Sequence, residues 1–123
     1  MAGLSDKRIL LLEDEPLVAL LAEDMLLDLG AVVIGPVATI ESALAAIEAN
    51  ALDAAFLDIN IGGALSFGVA ERLCARGVPV VFASGYTAAI AVPGASELIQ
   101  KPYQQRDVER ALLRALGEAQ DTA

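Results

Sequence analysis

The sequence predicts an α/β fold, a three-layer α/β/α sandwich built on one five-stranded parallel sheet. Five short apolar runs alternate along the chain with longer segments rich in Ala, Leu and Glu. Several of the runs are continuous rather than alternating, as strands covered on both faces require. Strand–helix units in series join parallel strands through right-handed crossovers. At 123 residues the chain is one domain by length, and 56% hydrophobic content with a mean hydropathy of +0.59 excludes general disorder.

Taken in order, the first run is "RILLLE" (8–13), followed by a helix over about 15–29 that Gly30 stops. The second run, "AVVIGPV" (31–37), leads to a helix over 39–50, where Thr39 and nearby Ser42 offer hydroxyl caps. The third, "DAAFLD" (53–58), precedes a helix over 66–76, with Ser66 as its hydroxyl cap and Gly77 as its stop. After the fourth run, "VPVVFAS" (78–84), the segment "GYTAAIAVPGA" (85–95) carries two glycines and a proline and reads as a short or broken fourth helix. The fifth run, "SELIQK" (96–101), leads to the last helix, 104–119, with Gly117 near its end.

Composition removes several kinds of chemistry. The net charge of −9, from 17 acidic and 8 basic residues, repels phosphate backbones and argues against direct nucleic-acid binding. There is no histidine, and Cys74 is the single cysteine. The usual zinc sites, a Ser-His-Asp or Cys-His arrangement and an intrachain disulfide therefore cannot be built. No run is long and apolar enough for a membrane span and the N-terminus does not read as a secretion signal, so a cytoplasmic location is the default expectation.

In a sheet of this kind ligands bind beyond the carboxyl ends of the strands, where the strand order reverses. Glu13 and Asp14 end the first strand, Asp58 ends the third with Asn60 two residues on, Ser84 ends the fourth, and Lys101-Pro102 ends the fifth. Each has an ordinary structural reading. Carboxylates at a helix start gain roughly 0.3–1 kcal/mol apiece from the macrodipole, and Asp58 or Ser84 alone would pass for turn chemistry. Together they place three acids, a hydroxyl and a lysine at one sheet edge. Clustered carboxylates repel unless a cation joins them, and oxygen donors on an open face suit Mg²⁺, or Mn²⁺ in its place. Beside such a metal Asp58 can act as a nucleophile toward phosphorus, while Ser84 and Lys101 pair with phosphoryl oxygens.

With these residues in order, the chain resembles the receiver domains of two-component response regulators over about residues 7–119. The resemblance implies the flavodoxin-like strand order 2-1-3-4-5 and Asp58 as phosphoryl acceptor. It implies Mg²⁺ held by Asp14, Asp58 and the backbone carbonyl of Asn60, with Glu13 acting through water, and a cis peptide before Pro102. Glu13 departs from the commoner Asp at its position. The stretch "PVVFASGY" (79–86) is similar to the Phe-Ala-Thr-Gly-Tyr subgroup of stand-alone receivers, with Ser84 for Thr, and "DINIGG" (58–63) fits that subgroup too. Partner kinases in that subgroup are commonly of the HWE or related type.

The family's usual aromatic switch position, three before the lysine, holds Leu98. We therefore expect Tyr86, Phe82 or the loop 85–95 to carry the response, and Asn60 and Tyr86 to influence phosphoryl hydrolysis. The chain leaves no room for an output domain, so the expected partners are proteins: a histidine kinase or a histidine phosphotransfer protein. The domain is expected to be a monomer, with phosphorylation-dependent dimerisation undecided, and to be a self-dephosphorylating switch rather than an enzyme. On a helical wheel for 15–29, Leu20 and Leu27 fall beside Glu23, Asp24 and Asp28, a placement that suggests a kinase contact, although single exposed leucines are common.

Rival readings fare worse. A flavodoxin-type carrier wants a phosphate loop after the first strand, where "EDEPLV" has the opposite charge. A haloacid-dehalogenase-like phosphatase wants Asp-x-Asp on that strand. A pseudo-receiver, a binding module that works without phosphorylation, remains the alternative that metal binding and phosphorylation would discriminate.

Overall fold

A computed structural model describes residues 3–85 and 97–117. In chain order the elements are β1 (Arg8–Leu12), α1 (Pro16–Asp28), β2 (Val32–Val37), α2 (Ile40–Ala49), β3 (Ala54–Asp58), β4 (Asn60–Ile61), β5 (Ala64–Leu65), α3 (Phe67–Ala75), β6 (Val80–Ser84), β7 (Glu97–Gln100) and α4 (Gln105–Ala115). Five strands form one parallel sheet in the order β2-β1-β3-β6-β7. This is the expected 2-1-3-4-5 order, with β4 and β5 set apart as a small antiparallel hairpin that the sequence reading did not anticipate. The expected fourth helix over 85–95 lies, beyond Gly85, outside the described residues.

Alternate residues of the central strands feed two cores. Leu10, Leu12, Ala55, Leu57, Val80 and Phe82 pack with Ala43 and Ile47 of α2 and Val69 and Leu73 of α3. Ile9, Leu11, Ala54, Phe56, Val81 and Ala83 pack with Ala22 and Leu26 of α1 and Val108 and Leu112 of α4. Because both faces are covered, β3 and β6 are buried along their whole length, and this explains why their sequences are continuous apolar runs.

The helix signals resolve differently. Thr39 caps α2, its Oγ1 accepting from the Ser42 amide at 3.0 Å. At the end of α1 the Gly30 amide donates to Leu27 O and the Ala31 amide to Leu26 O, closing the last turn. Ser66 precedes α3 as expected but does not cap it with its side chain. Its buried hydroxyl is committed elsewhere, to the carbonyl of Asp58.

The edge strand β2 carries one extra residue relative to β1 between the Leu10–Ile34 and Leu12–Val37 pairs. Gly35 sits there at φ +116°, where a Cβ would lie 2.7 Å from the Val37 nitrogen and 2.9 Å from the Leu11 oxygen. No side chain fits. The bulge and Pro36 interrupt the exposed edge of the sheet.

Candidate functional site

The sheet places the expected residues at one edge. β1 pairing continues one residue past the strand, with the Glu13 amide donating to Val37 O at 3.0 Å. Glu13 is thereby drawn into the interior, at 3% exposure, while Asp14 turns toward the cleft. Asp58 closes β3 and is buried. The Lys101 amide donates to Ser84 O at 2.8 Å, extending the β6–β7 pairing and delivering the lysine to the same edge. The Lys101–Pro102 peptide is cis.

Lys101 is the centre of the charge arrangement. Its Nζ donates to Glu13 Oε1 and to Asp58 Oδ2, each at 3.1 Å, and lies 3.8 Å from Glu15 Oε1. The other Glu13 oxygen, Oε2, accepts from the Glu15 amide at 3.1 Å. Burial pushes the Glu13 carboxyl above its usual range; the Asp58 charge adds to this, and the Glu15 amide and Lys101 only partly offset it. Burial alone would lower the Lys101 ammonium, but hydrogen bonds and charges from Asp58 and Glu13 outweigh it and its pKa is raised. Beneath the lysine, Tyr103 packs edge-on to Phe56 with ring centroids 5.3 Å apart, and burial, with the Glu13 charge, pushes its hydroxyl up to about 12.

The hairpin forms the opposite wall. Gly62 and Gly63 take φ of +59° and +88°, the two left-handed positions a two-residue hairpin turn requires. The Gly62 amide donates to Asp14 Oδ2 and the Gly63 amide to Asn60 Oδ1, both at 2.9 Å. Ser66 ties the base: its Oγ donates to Asp58 O at 2.6 Å and its amide to Ile59 O at 2.8 Å. The Asp58 backbone is therefore held by a buried hydroxyl eight residues further along.

Between these walls lies an open cleft of about 400 Å³, lined by Asp14, Glu15, Asp58, Asn60, Lys101 and three glycines. Among the described residues, Glu13, Asp14 and Asp58 offer carboxylate oxygens that lie within 4.8 Å of one another. An all-oxygen donor set on an open face fits a hard divalent cation that keeps part of its water.

The remaining expected residues fall elsewhere. Ser84 is buried at the adjoining strand end. Phe82 is fully buried, edge-on to Phe67 at 5.4 Å in the α2–α3 core, away from the cleft lining. Leu98, half-buried, packs against that same core. Tyr86 lies outside the described residues. Leu20 and Leu27 are each 52% exposed on α1, as the wheel suggested, and Leu17 and Leu21 join them there.

A family model described as the response regulator receiver domain matches residues 9–113. The chain belongs to this family. Among solved structures, SdrG from Sphingomonas melonis Fr1 is 41% identical, with 94% of this chain and 98% of that one covered and a TM-score of 0.78. The BeF3-activated conformation of SdrG, there assigned to Pseudomonas melonis Fr1, aligns at 39% identity over 94% and 99% of the two chains, with a TM-score of 0.76. The receiver domain of the PhyR response regulator from Erythrobacter litoralis is 28% identical over 92% of each chain, with a TM-score of 0.79. No curated protein matches.

Three features of this receiver's site escaped sequence reasoning. The hairpin that carries Gly62 had a signal, since Gly-Gly between short apolar stretches marks such a turn, but the contact of the Gly62 amide with Asp14 had none. Ser66 on the Asp58 carbonyl had none, because a serine before a helix reads first as a cap. Glu15, the third of three successive acids, carried no signal of its own, because its place on the cleft depends on how α1 leaves the sheet.

Proposed function

We propose that this receiver is the phospho-accepting switch of a two-component phosphorelay, with Asp58 taking a phosphoryl group from a phosphohistidine. The observation that carries this reading is the Asp58 carboxylate at the cleft, 3.1 Å from Lys101 and within metal-sharing distance of Asp14 and Glu13. Mg²⁺ or Mn²⁺, held by Asp14, Asp58 and Asn60, would supply charge neutralisation for the transferring phosphoryl oxygens. An Asp58 oxygen bonds to phosphorus as the phosphorus–nitrogen bond of the donor breaks, its electron pair remaining on the imidazole. Lys101, already an ammonium hydrogen-bonded to two carboxylates, exchanges one of them for a phosphoryl oxygen, and the Ser84 hydroxyl donates to another. Glu13, with both oxygens already accepting hydrogen bonds, steers Lys101 as much as it serves the metal. Attack of water on phosphorus then breaks the bond to Asp58 and releases phosphate, so the domain is regenerated as a switch and does not turn over an external substrate.

Signalling then runs through protein contacts, as target binding, phosphate sink or shuttle. The exposed leucines of α1 support a docking face for a histidine kinase, of HWE or related type, or a histidine phosphotransfer protein. An apolar groove of about 370 Å³ formed by Val18, Leu21, Met25, Pro102 and Tyr103 runs from this face to Lys101. Replacing Leu20 and Leu27 together by Lys should slow transfer from a protein donor several-fold with unchanged thermal stability; an unaltered rate removes the docking assignment.

The deciding experiment is an NMR titration with Mg²⁺ and then beryllofluoride, a phosphoryl mimic, on wild type and Asp58→Asn. Shifts centred on Glu13, Asp14, Asp58, Ser84 and Lys101 that vanish in the variant are expected. A silent wild-type site would instead make the domain a phosphorylation-independent binding module.

A further inference from the structure

We propose that Glu15 is a specificity-determining residue of the cleft, its carboxylate disfavouring small anionic phosphoryl donors and thereby reserving Asp58 for a docked protein donor. This rests on the receiver reading above and adds to it a residue with no part in the phosphoryl-transfer steps themselves.

The three successive carboxylates differ in how they are held. Glu13 is buried with both oxygens accepting hydrogen bonds, and Asp14 accepts from the Gly62 amide. Glu15 has a side chain 66% exposed, lines the cleft beside Asp58, and reaches Lys101 at 3.8 Å. It occupies the N-cap position of α1, yet its side chain makes no capping hydrogen bond, so helix formation does not explain where its carboxylate stands.

The position has an electrostatic consequence. Three carboxylates, of Glu13, Glu15 and Asp58, lie within 4 Å of one ammonium, Asp14 lines the same cleft, and the whole chain carries −9. The two ion-pair distances through Lys101 put the Glu15 carboxylate within about 7 Å of the Asp58 acceptor oxygen. A doubly charged anion approaching Asp58 meets this charge across solvent, and so does a divalent cation, with opposite sign. At that distance removal of one charge changes the local concentration of a divalent ion about twofold at 0.15 M salt and about fivefold at 0.01 M, where screening is weak. A protein donor gains contact energy from the leucines of α1 and the groove beside them, and this offsets the repulsion. A small donor has no such compensation.

The test compares wild type with Glu15→Gln and with Glu15→Asp, which keeps the charge. The initial rate of phosphorylation by acetyl phosphate at saturating Mg²⁺ should rise about fivefold in Glu15→Gln at 0.01 M salt and about twofold at 0.15 M, and stay near wild type in Glu15→Asp. Mg²⁺ affinity, followed by NMR without any donor, should weaken by a similar factor in Glu15→Gln. Opposite signs for anion and cation identify the charge itself, because damage to the site weakens both. Rates that match wild type at both salt concentrations, or a donor rate and a Mg²⁺ affinity that fall together, would overturn the assignment while leaving the receiver reading intact. A wild type that neither binds Mg²⁺ nor accepts phosphate would overturn the receiver reading itself, and this inference with it.

Discussion

In the metal-free protein, Lys101 is the cation on which two buried carboxylates depend. Replacing it by Ala leaves Glu13 and Asp58, 3% and 8% exposed, facing each other without a positive partner. Breaking a fully buried pair from one side costs about 3–5 kcal/mol. The Lys101 side chain is 19% exposed, so water recovers part of this, and about 2–3 kcal/mol is the expected loss. With an unfolding entropy near 2.1 cal/mol/K per residue over this chain, that corresponds to a fall in Tm of roughly 8–12 °C.

Two further measurements identify the cause. Glu13 already holds its proton more tightly folded than its ordinary value of 4.5 would allow. The stability contributed by its protonated form is present below that value and lost as pH rises through the raised one. Without Lys101 this raised value moves higher still, so the cost of the substitution should be large at neutral pH and shrink as the medium is taken below about 4.5, where the Glu13 carboxyl is neutral and no longer repels Asp58. Mg²⁺ should reverse the effect. A ligand at 100 times its Kd adds about 2.7 kcal/mol, and Lys101→Ala, relieved of a competing cation, should gain more from a given Mg²⁺ concentration than wild type does. Thermal denaturation with and without Mg²⁺ across pH 4–8 reads all three. A loss below about 1 kcal/mol at pH 7, or a larger Mg²⁺ gain in wild type, refutes the reasoning.

Ser66→Ala removes a buried donor from the Asp58 carbonyl and should cost about 1–3 kcal/mol in chemical denaturation. On the proposed reading it should also weaken beryllofluoride binding, because the Asp58 backbone loses its tie; unchanged stability would mean that the bond contributes nothing.

The fold was legible because successive residues of each strand enter opposite cores, Leu10 and Leu12 against Leu11, Leu57 against Phe56, Phe82 against Ala83, so that each strand reads as a continuous apolar run. Lys101, Asp58 and Asp14 were legible for a related reason, since strand ends are easy to locate and a parallel sheet brings them to one edge. What could not be read was the partner of each polar atom. Ser66 near a helix start looks like a cap by propensity, but the Asp58 carbonyl leaves the sheet at that point and needs a donor that water cannot supply. The Gly62 amide meets Asp14 across 48 residues of sequence, and no local pattern encodes that distance.

The stretch "ILLLEDEP" (9–16) raises the same point about selection. Three like charges at the end of a buried strand are a poor choice for stability, since desolvation already raises the Glu13 pKa and Asp58 adds to it. Propensity would accept almost any polar residue there, and α1 needs none of them as a side-chain cap. Their value lies in being held differently: one buried beneath Lys101, one turned to the cleft and the hairpin, one in solvent at the mouth. A single chain direction produces all three because Glu13 stays in the sheet, through its amide on Val37, while Asp14 and Glu15 have left it. If the run were only helix-start decoration, each carboxylate could be neutralised with similar small effect. The arrangement instead requires different outcomes in kind: Glu13→Gln acting on Lys101, Asp14→Asn on the metal, and Glu15→Gln on the charge of the incoming donor.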